Sequence, residues 1–274
     1  CGPVPADLFR AMPRLEKLIP LKKKKRHGHW VYLWAECIFT RWDVIVDLRN
    51  SIVTRLLFGK KKLYKLPRST GNHKVEDHAK AMGVDKLPSP VIWTDTTAED
   101  KARPFMPDDP VIAFGPAANW PCKQWQNEKF IEVAKQLVAE DGIHPKAKIL
   151  VTAAPHELDQ VKPLINAFPS DQIINIVGQD LLTVAACMKK CVLFVGNDSG
   201  LMHMAAATGI PTIGLFGPSY DSVYGPWGPN GLAIRTPETR DELWERLPHK
   251  GANEPNLMQS LSVEKVMDEI KGFV

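Results

Sequence analysis

The stretch Phe194-Val-Gly-Asn-Asp-Ser-Gly-Leu-Met-His-Met-Ala-Ala-Ala-Thr-Gly-Ile-Pro-Thr-Ile-Gly-Leu-Phe-Gly-Pro-Ser219 constrains the fold more than any other part of this chain. It reads as strand, polar loop, short helix, tight turn, strand, polar loop. The apolar run Cys191 to Val195 passes into Gly196-Asn-Asp-Ser-Gly200, which opens a helix predicted over Leu201 to Thr208. Gly209 stops that helix and Pro211 starts the next strand. The loop therefore lies at the carboxyl end of a strand and at a helix N-terminus. Open α/β sheets bind ligands there, and free N–H groups with the helix dipole favour a phosphate or pyrophosphate. Each residue also has a plainer use. Asp198 or Ser199 suits an N-cap, Gly196 and Gly200 relieve backbone strain, and His203 suits the inner face of a helix. The ordered string, rather than any one residue, is specific.

The same rhythm runs through the C-terminal half. Val111 to Gly115, Lys148 to Thr152, Ile173 to Val177 and Val192 to Val195 read as strands. Between them, Asn127 to Glu140 spaces Phe130, Ile131, Ala134, Leu137 and Val138 as a helix does, Glu157 to Ala167 reads as a helix despite Pro163, and Leu181 to Met188 as a third. This βαβ alternation predicts a parallel, doubly wound sheet. The tail, Ser262 to Ile270, predicts an amphipathic helix capped by Ser262 with Val263, Val266, Met267 and Ile270 on one face. Residues 86–110 break the pattern with five prolines. Three segments follow: residues 1–95 as a smaller α/β domain, 96–110 as a linker, and 111–274 as a Rossmann-like domain with a C-terminal helix. In the first, Trp42-Asp-Val-Ile-Val-Asp-Leu48 is a strand and Ser51 to Phe58 a helix. A Rossmann-like domain opens with its own strand, turn and helix. None is readable before Asp7, so the N-terminal domain is expected to be truncated at its start.

Charge is uneven. Residues 1–100 hold 19 Lys/Arg against 11 Asp/Glu, and residues 101–274 hold 16 against 20. The sharpest basic clusters are Lys22-Lys-Lys-Lys-Arg26 and Lys60-Lys-Lys62. Solvated loops, an anionic membrane surface and a phosphorylated acceptor all fit them. A nucleic-acid partner is not expected, since no aromatic residue interleaves the first run. The five cysteines form no Cys-x-x-Cys pair. Cys187 and Cys191 fit core packing, and the pattern fits a reducing, cytosolic setting. No segment approaches the roughly 18 apolar residues of a membrane span, and residues 1–20 contain no signal-peptide apolar region.

At Asn197-Asp-Ser-Gly-Leu-Met-His-Met-Ala-Ala-Ala207 and Thr212-Ile-Gly-Leu-Phe-Gly-Pro-Ser219 the chain resembles the ADP-heptose:lipopolysaccharide heptosyltransferases. Ile112-Ala-Phe-Gly-Pro-Ala-Ala-Asn-Trp-Pro-Cys-Lys-Gln-Trp125 resembles that family's Pro-Gly-x-x-x-x-x-Lys-x-Trp loop. Leu150 to Glu157 and Trp42 to Leu48 are weaker echoes. The resemblance implies a GT-B fold of two Rossmann-like domains, the first incomplete here, with the nucleotide-sugar in the C-terminal one. It implies Lys123 on the leaving diphosphate, where a cation stabilises growing charge. Asp198 would bind the donor sugar hydroxyls. Ser199 and Gly200 would offer backbone N–H groups to phosphate or sugar, with His203 just behind them. Glu157 would lie near the nucleoside, Asn119 in a donor-contacting loop, and Trp125 beneath that loop.

The implied chemistry is inverting transfer of heptose from ADP-heptose to a phosphorylated lipid–sugar of the lipopolysaccharide inner core. It would occur in the cytoplasm, with peripheral contact at the inner membrane. A general base deprotonates the acceptor hydroxyl. The resemblance places that base in a Gly-Asp turn upstream of residue 1, and no Gly-Asp dipeptide occurs in residues 1–60. Glu36, Asp43 and Asp47 are poor substitutes. There is no Asp-x-Asp motif, so this reading requires neither metal nor cofactor. Two alternatives stand beside it: a GT-B glycosyltransferase using another sugar nucleotide, and a nucleotide-sugar binding module without activity. A nicotinamide-dependent oxidoreductase and a P-loop kinase are disfavoured, since Gly-x-Gly-x-x-Gly after a strand and Gly-x-x-x-x-Gly-Lys-Ser/Thr are both absent.

Overall fold

The computed structural model describes residues 1–64, 71–247 and 256–274. The chain forms two compact units, Cys1–Ser89 and Pro90–Val274.

In the first unit, helix α1 (Gly28–Cys37) leads into strand β1 (Trp42–Asp47), which pairs in parallel with β2 (Gly59–Tyr64) from Trp42↔Gly59 to Asp47↔Tyr64. Helix α2 (Lys74–Met82) follows, with His73 accepting the Val75 N–H at 3.2 Å and Gly83 closing it at φ 66°. The helix expected over Ser51–Phe58 is a single turn, Ile52–Arg55. The shortening has a local cause in Asp47, at the end of β1. Its buried carboxylate accepts Arg49 N–H at 2.8 Å, Ser51 N–H at 2.6 Å, Ser51 Oγ at 3.0 Å and Thr54 Oγ1 at 2.6 Å. Those bonds fix a tight loop, after which the chain turns back into β2. Lys60-Lys-Lys62, read in sequence only as a basic cluster, is the middle of that strand.

Burial pushes the Asp47 carboxyl up, but the Thr54, Arg49 and Ser51 hydrogen bonds outweigh it and hold the group below the ordinary carboxylate value. A carboxylate depressed by folding stabilises fully above its unfolded value of about 3.9. The contribution is lost as pH falls through the lower folded value. Asp47→Asn is therefore expected to cost about 1–3 kcal/mol at pH 7. Part of that deficit relative to wild type should disappear below about pH 3. Urea unfolding at pH 7 and pH 3 measures both; equal deficits at the two pH values would rule the account out.

The second unit is built on six parallel strands: β3 (Val111–Gly115), β4 (Lys148–Val151), β5 (Ile173–Asn175), β6 (Leu193–Asn197), β7 (Thr212–Phe216) and β8 (Gly231–Arg235), in spatial order β5-β4-β3-β6-β7-β8. β3, β4 and β5 step one way from the centre, and β6, β7 and β8 step the other. The order reverses between β3 and β6, where Gly115 pairs with Gly196. This is the doubly wound sheet expected, and its crevice lies at that reversal. β3, β6 and β7 are buried along their whole length, as strands covered on both faces must be.

The longer helices of this unit are α3 (Thr96–Ala102), α4 (Asn127–Val138), α5 (Leu158–Asn166), α6 (Leu181–Met188), α7 (Gly200–Thr208) and α8 (Val263–Phe273), with the shorter Asp221–Tyr224 and Arg240–Glu245 beside them. Helix α3 falls inside the expected linker 96–110 and shows why that expectation needs correcting. Asp95 caps it by accepting the Ala98 N–H at 2.8 Å, and Ala98 and Ala102, one turn apart, are fully buried. Lys101 pairs with Asp180 at 3.1 Å, at the head of α6, and Lys189 donates to Thr94 at 2.7 Å. The charge-rich, proline-flanked stretch is thus a packed element of the second unit, and the units divide at Ser89/Pro90. Helix α8 begins as expected, with Ser262 accepting the Lys265 N–H at 3.2 Å and Val266, Met267 and Ile270 buried. Cys187 and Cys191 are buried free thiols in the core.

Candidate nucleotide-sugar site

Two loops leave the sheet at its reversal point. One runs from Pro116 to Gln126 after β3; the other is Asp198-Ser199 after β6. Between them, Lys123 Nζ meets Asp198 Oδ2 at 2.6 Å. The lysine side chain is 23% exposed and the carboxylate 9%, so the pair is largely shielded yet open on one side. The ammonium also lies 5.2 Å from the centre of the exposed Trp120 ring. Lys123 and Asp198, 75 residues apart in sequence, are thereby brought together at the carboxyl ends of adjacent strands.

The Lys123 loop is rigidly held. Pro121–Lys123 forms a single 3-10 turn. Gln124 Nε2 donates to the Ala118 carbonyl at 2.8 Å and to Gln160 Oε1 at 2.6 Å. Trp125 is buried beneath the loop, as expected. It packs edge-on against Phe130 at 5.0 Å and donates from Nε1 to the Leu261 carbonyl at 3.0 Å. The buried Asn197 amide accepts the Trp125 N–H at 3.1 Å and donates to the Pro116 carbonyl at 2.6 Å. From the other side, Asn256 Nδ2 donates to the Gln124 carbonyl at 2.7 Å and Leu257 N–H to the Cys122 carbonyl at 3.1 Å. Sequence reading named neither Asn197 nor Asn256 as a functional residue. A polar residue ending a strand of otherwise apolar residues was the available signal for the first.

Helix α7 starts at Gly200, one residue earlier than predicted. Ser199 occupies the N-cap position with extended backbone, yet its side chain makes no capping bond. Its Oγ is buried and has no hydrogen-bond partner in the protein. The capping role offered in sequence for Ser199 or Asp198 is therefore not the one seen: Asp198 turns to Lys123, and the first N–H groups of α7 receive no side chain from Ser199. A Cβ on Gly200 would meet nothing within 4 Å, so this glycine leaves the approach to the helix start open. Gly209, at φ 89°, closes α7 in the left-handed conformation that disfavours a side chain.

Asn119 is exposed in the loop after β3. His203 is exposed on the first turn of α7, its N–H bonding the Ser199 carbonyl at 3.4 Å. Glu157, after β4, is buried and its Oε2 accepts the Ala154 N–H at 2.9 Å, closing its own turn. The hydroxyl of Thr152, at the end of β4, is buried without a partner. In the first unit each carboxylate weighed as a base is engaged. Glu36 pairs with Lys17 at 2.5 Å, Asp43 with Lys60 at 2.6 Å, and Asp47 holds its loop. Lys22 to Arg26 are exposed, with Lys24 lying 5.5 Å over the Tyr32 ring, so an aromatic group flanks the run in space though not in sequence.

Residues 41–246 match the profile of glycosyltransferase family 9 (heptosyltransferase). The chain belongs to this family. Lipopolysaccharide heptosyltransferase 2 of Salmonella typhimurium is 30% identical over 159 residues, which take in 54% of this chain and 45% of that protein. The chain spans about half the length of the curated relatives it matches. A family 9 glycosyltransferase from Veillonella parvula superimposes with a TM-score of 0.77 at 23% identity, over 99% of this chain and 86% of the other. E. coli heptosyltransferase WaaC, solved with ADP-2-deoxy-2-fluoro heptose, does so with a TM-score of 0.70 at 19% identity, over 100% of this chain and 88% of the other. At those identities the two structures bear on fold, which is that of GT-B heptosyltransferases. Among the described residues of this family 9 chain, no helix is long and apolar enough to cross a membrane.

Proposed function

We propose that this chain is a heptosyltransferase whose second unit holds ADP-heptose, with the diphosphate on Lys123 and the N-terminus of α7 and the sugar hydroxyls on Asp198. The observation that carries the reading is the Lys123–Asp198 pair at the reversal point of the sheet, beside an uncapped helix start. One cation and one carboxylate within hydrogen-bond distance of each other suit a ligand that is anionic at one end and hydroxylated at the other. In the unliganded protein they satisfy each other. A donor replaces the pair by diphosphate on the ammonium and hydroxyls on the carboxylate, so neither charge is left alone. The relative solved with an ADP-heptose analogue supports the donor class.

In the reaction proposed, an acceptor hydroxyl oxygen attacks the anomeric carbon with inversion. The bond from that carbon to the diphosphate oxygen breaks, and the hydroxyl proton passes to a base. Lys123 and the α7 dipole stabilise the charge on departing ADP, the work a divalent ion does in other transferases. The proposed acceptor is a phosphorylated lipid–sugar of the lipopolysaccharide inner core. It would meet the basic first unit while the protein sits peripherally at the cytoplasmic face of the inner membrane; the exposed Lys22 to Arg26 run supports that role. Glu157, Asn119 and His203 are assigned to the donor side with Ser199 and Gly200.

Calorimetric titration with ADP-heptose, with GDP- and UDP-sugars as controls, tests the donor. Selective binding of the ADP-sugar is expected. Preference for a GDP- or UDP-sugar would leave the fold and remove the heptose assignment; binding of none would remove the donor-site reading.

A further inference from the structure

Asn197 belongs to no part of the donor site as just described, yet its side chain joins both loops that form it. It ends β6, immediately before Asp198, and is fully buried. Its amide spends both polar ends on the Lys123 loop, accepting from Trp125 N–H at 3.1 Å and donating to the Pro116 carbonyl at 2.6 Å. Pro116 begins that loop and Trp125 lies two residues past Lys123. One planar amide therefore pins both ends of a loop from β3 to the strand that carries Asp198. Gly115 and Gly196, paired across the reversal, leave no side chain to do this job. A Cβ on Gly196 would press the Gly115 carbonyl at 2.8 Å and the Phe194 ring at 2.7 Å, so the strands approach closely there and the amide can span them.

We propose that Asn197 is a positioning residue for donor binding: through its two hydrogen bonds to the Lys123 loop it sets where the Lys123 ammonium stands relative to Asp198. This rests on the donor-site reading above. The other asparagine that holds the loop, the partly buried Asn256, lacks this placement. Asn256 holds the same loop from the C-terminal segment, bonding the Gln124 carbonyl at 2.7 Å and Met258 N–H at 2.7 Å, but it does not connect the loop to the strand bearing Asp198. The Asn197 bonds come from β6 itself, so they tie the backbone of the Lys123 loop to the strand that carries Asp198. The chemistry requires an amide or its equivalent, because the position must accept from one backbone group and donate to another. Aspartate supplies the acceptor without the donor and adds a second negative charge beside Asp198.

The test is a double-mutant cycle on ADP affinity, using wild type, Asn197→Ala, Lys123→Ala and the double variant. Asn197→Ala is expected to weaken ADP about tenfold, at the lower end of what losing a hydrogen bond to a charged group costs, since the ammonium is shifted and not removed. With Lys123 already removed, the same change is expected to alter affinity less than about twofold, because what it positioned is gone. An equal loss in both backgrounds would mean that Asn197 only supports the fold, and an unchanged affinity with Lys123 present would overturn the proposal outright. Asn197→Ser, which keeps one group able both to accept and to donate, serves where alanine prevents folding and is expected to lose less. A second reading needs no ligand. The rate at which an amine-selective ester acylates Lys123, followed by peptide mass, should rise several-fold in Asn197→Ala and clearly less in Asn256→Ala, which leaves the tie between the loop and β6 in place. If wild type fails to bind ADP, the donor reading falls while the acylation rates still decide this one: equal rates in wild type and Asn197→Ala would overturn it.

Discussion

Replacing Lys123 by alanine is expected to weaken ADP binding about 10- to 100-fold, the range of a lost hydrogen bond to a charged group. Transfer of the sugar should fall further, by about another 100-fold or more, because the charge that Lys123 meets grows as the diphosphate leaves. The two effects separate in single-turnover assays against saturating donor, where only the second remains. Folding is expected to survive. The lysine is 23% exposed and its loop is held by bonds from Asn197, Gln124, Trp125 and Asn256 that do not involve the ammonium. The abandoned Asp198 carboxylate, 9% exposed, should cost about 1–3 kcal/mol through its lost partner, visible as a modest drop in thermal midpoint. Lys123→Arg should recover the stability and only part of the rate, since a planar guanidinium on a three-methylene stem does not place a point charge where the ammonium stood. Donor affinity and turnover within twofold of wild type in Lys123→Ala would remove this residue from the site.

The sheet of the second unit was legible because its evidence is local and repeated. Each strand is a short apolar run ended by Gly, Pro or a polar residue, and helices carry their own spacing and end signals, such as the stop at Gly209 and the cap at Ser262. That Lys123 and Asp198 belong to one place in the fold could be expected only through resemblance. No periodicity connects two residues 75 apart, and a lysine before a helix is ordinarily a solvated side chain. The first unit was harder to read because its deciding interactions compete with pattern. Asp47 shortens the expected helix through four hydrogen bonds, and a strand containing Lys60-Lys-Lys62 carries the composition of a loop. The expected linker failed for a related reason. Its prolines, from Pro104 on, all follow the end of α3, while the two buried alanines that dock the helix are too small to register as an apolar face. Asn197 was invisible as a functional residue because what matters is the pair of backbone groups it reaches, and both belong to another strand's loop.

Asp198 offers the most discriminating experiment on the site, because two ligands should respond in opposite ways. In the unliganded protein its carboxylate occupies the Lys123 ammonium at 2.6 Å. Plain ADP must break that pair and returns nothing to Asp198. On the proposed reading ADP-heptose breaks it too, but its hydroxyls donate to the freed carboxylate. Asp198→Ala should therefore weaken ADP-heptose about tenfold to 100-fold, the worth of hydrogen bonds to a charged acceptor, while ADP binds no more weakly than to wild type. The change removes the competitor for Lys123 along with the sugar contact. Asp198→Asn separates the two effects. It keeps an acceptor for hydroxyl groups and abolishes the ion pair, so it should retain more affinity for ADP-heptose than the alanine variant and bind ADP at least as well as wild type. The ratio of the two dissociation constants, measured by calorimetry in one buffer, cancels any general loosening of the site. A ratio unchanged by Asp198→Ala, with both ligands weakened alike, would mean that Asp198 serves the diphosphate end through Lys123 and holds no part of the sugar.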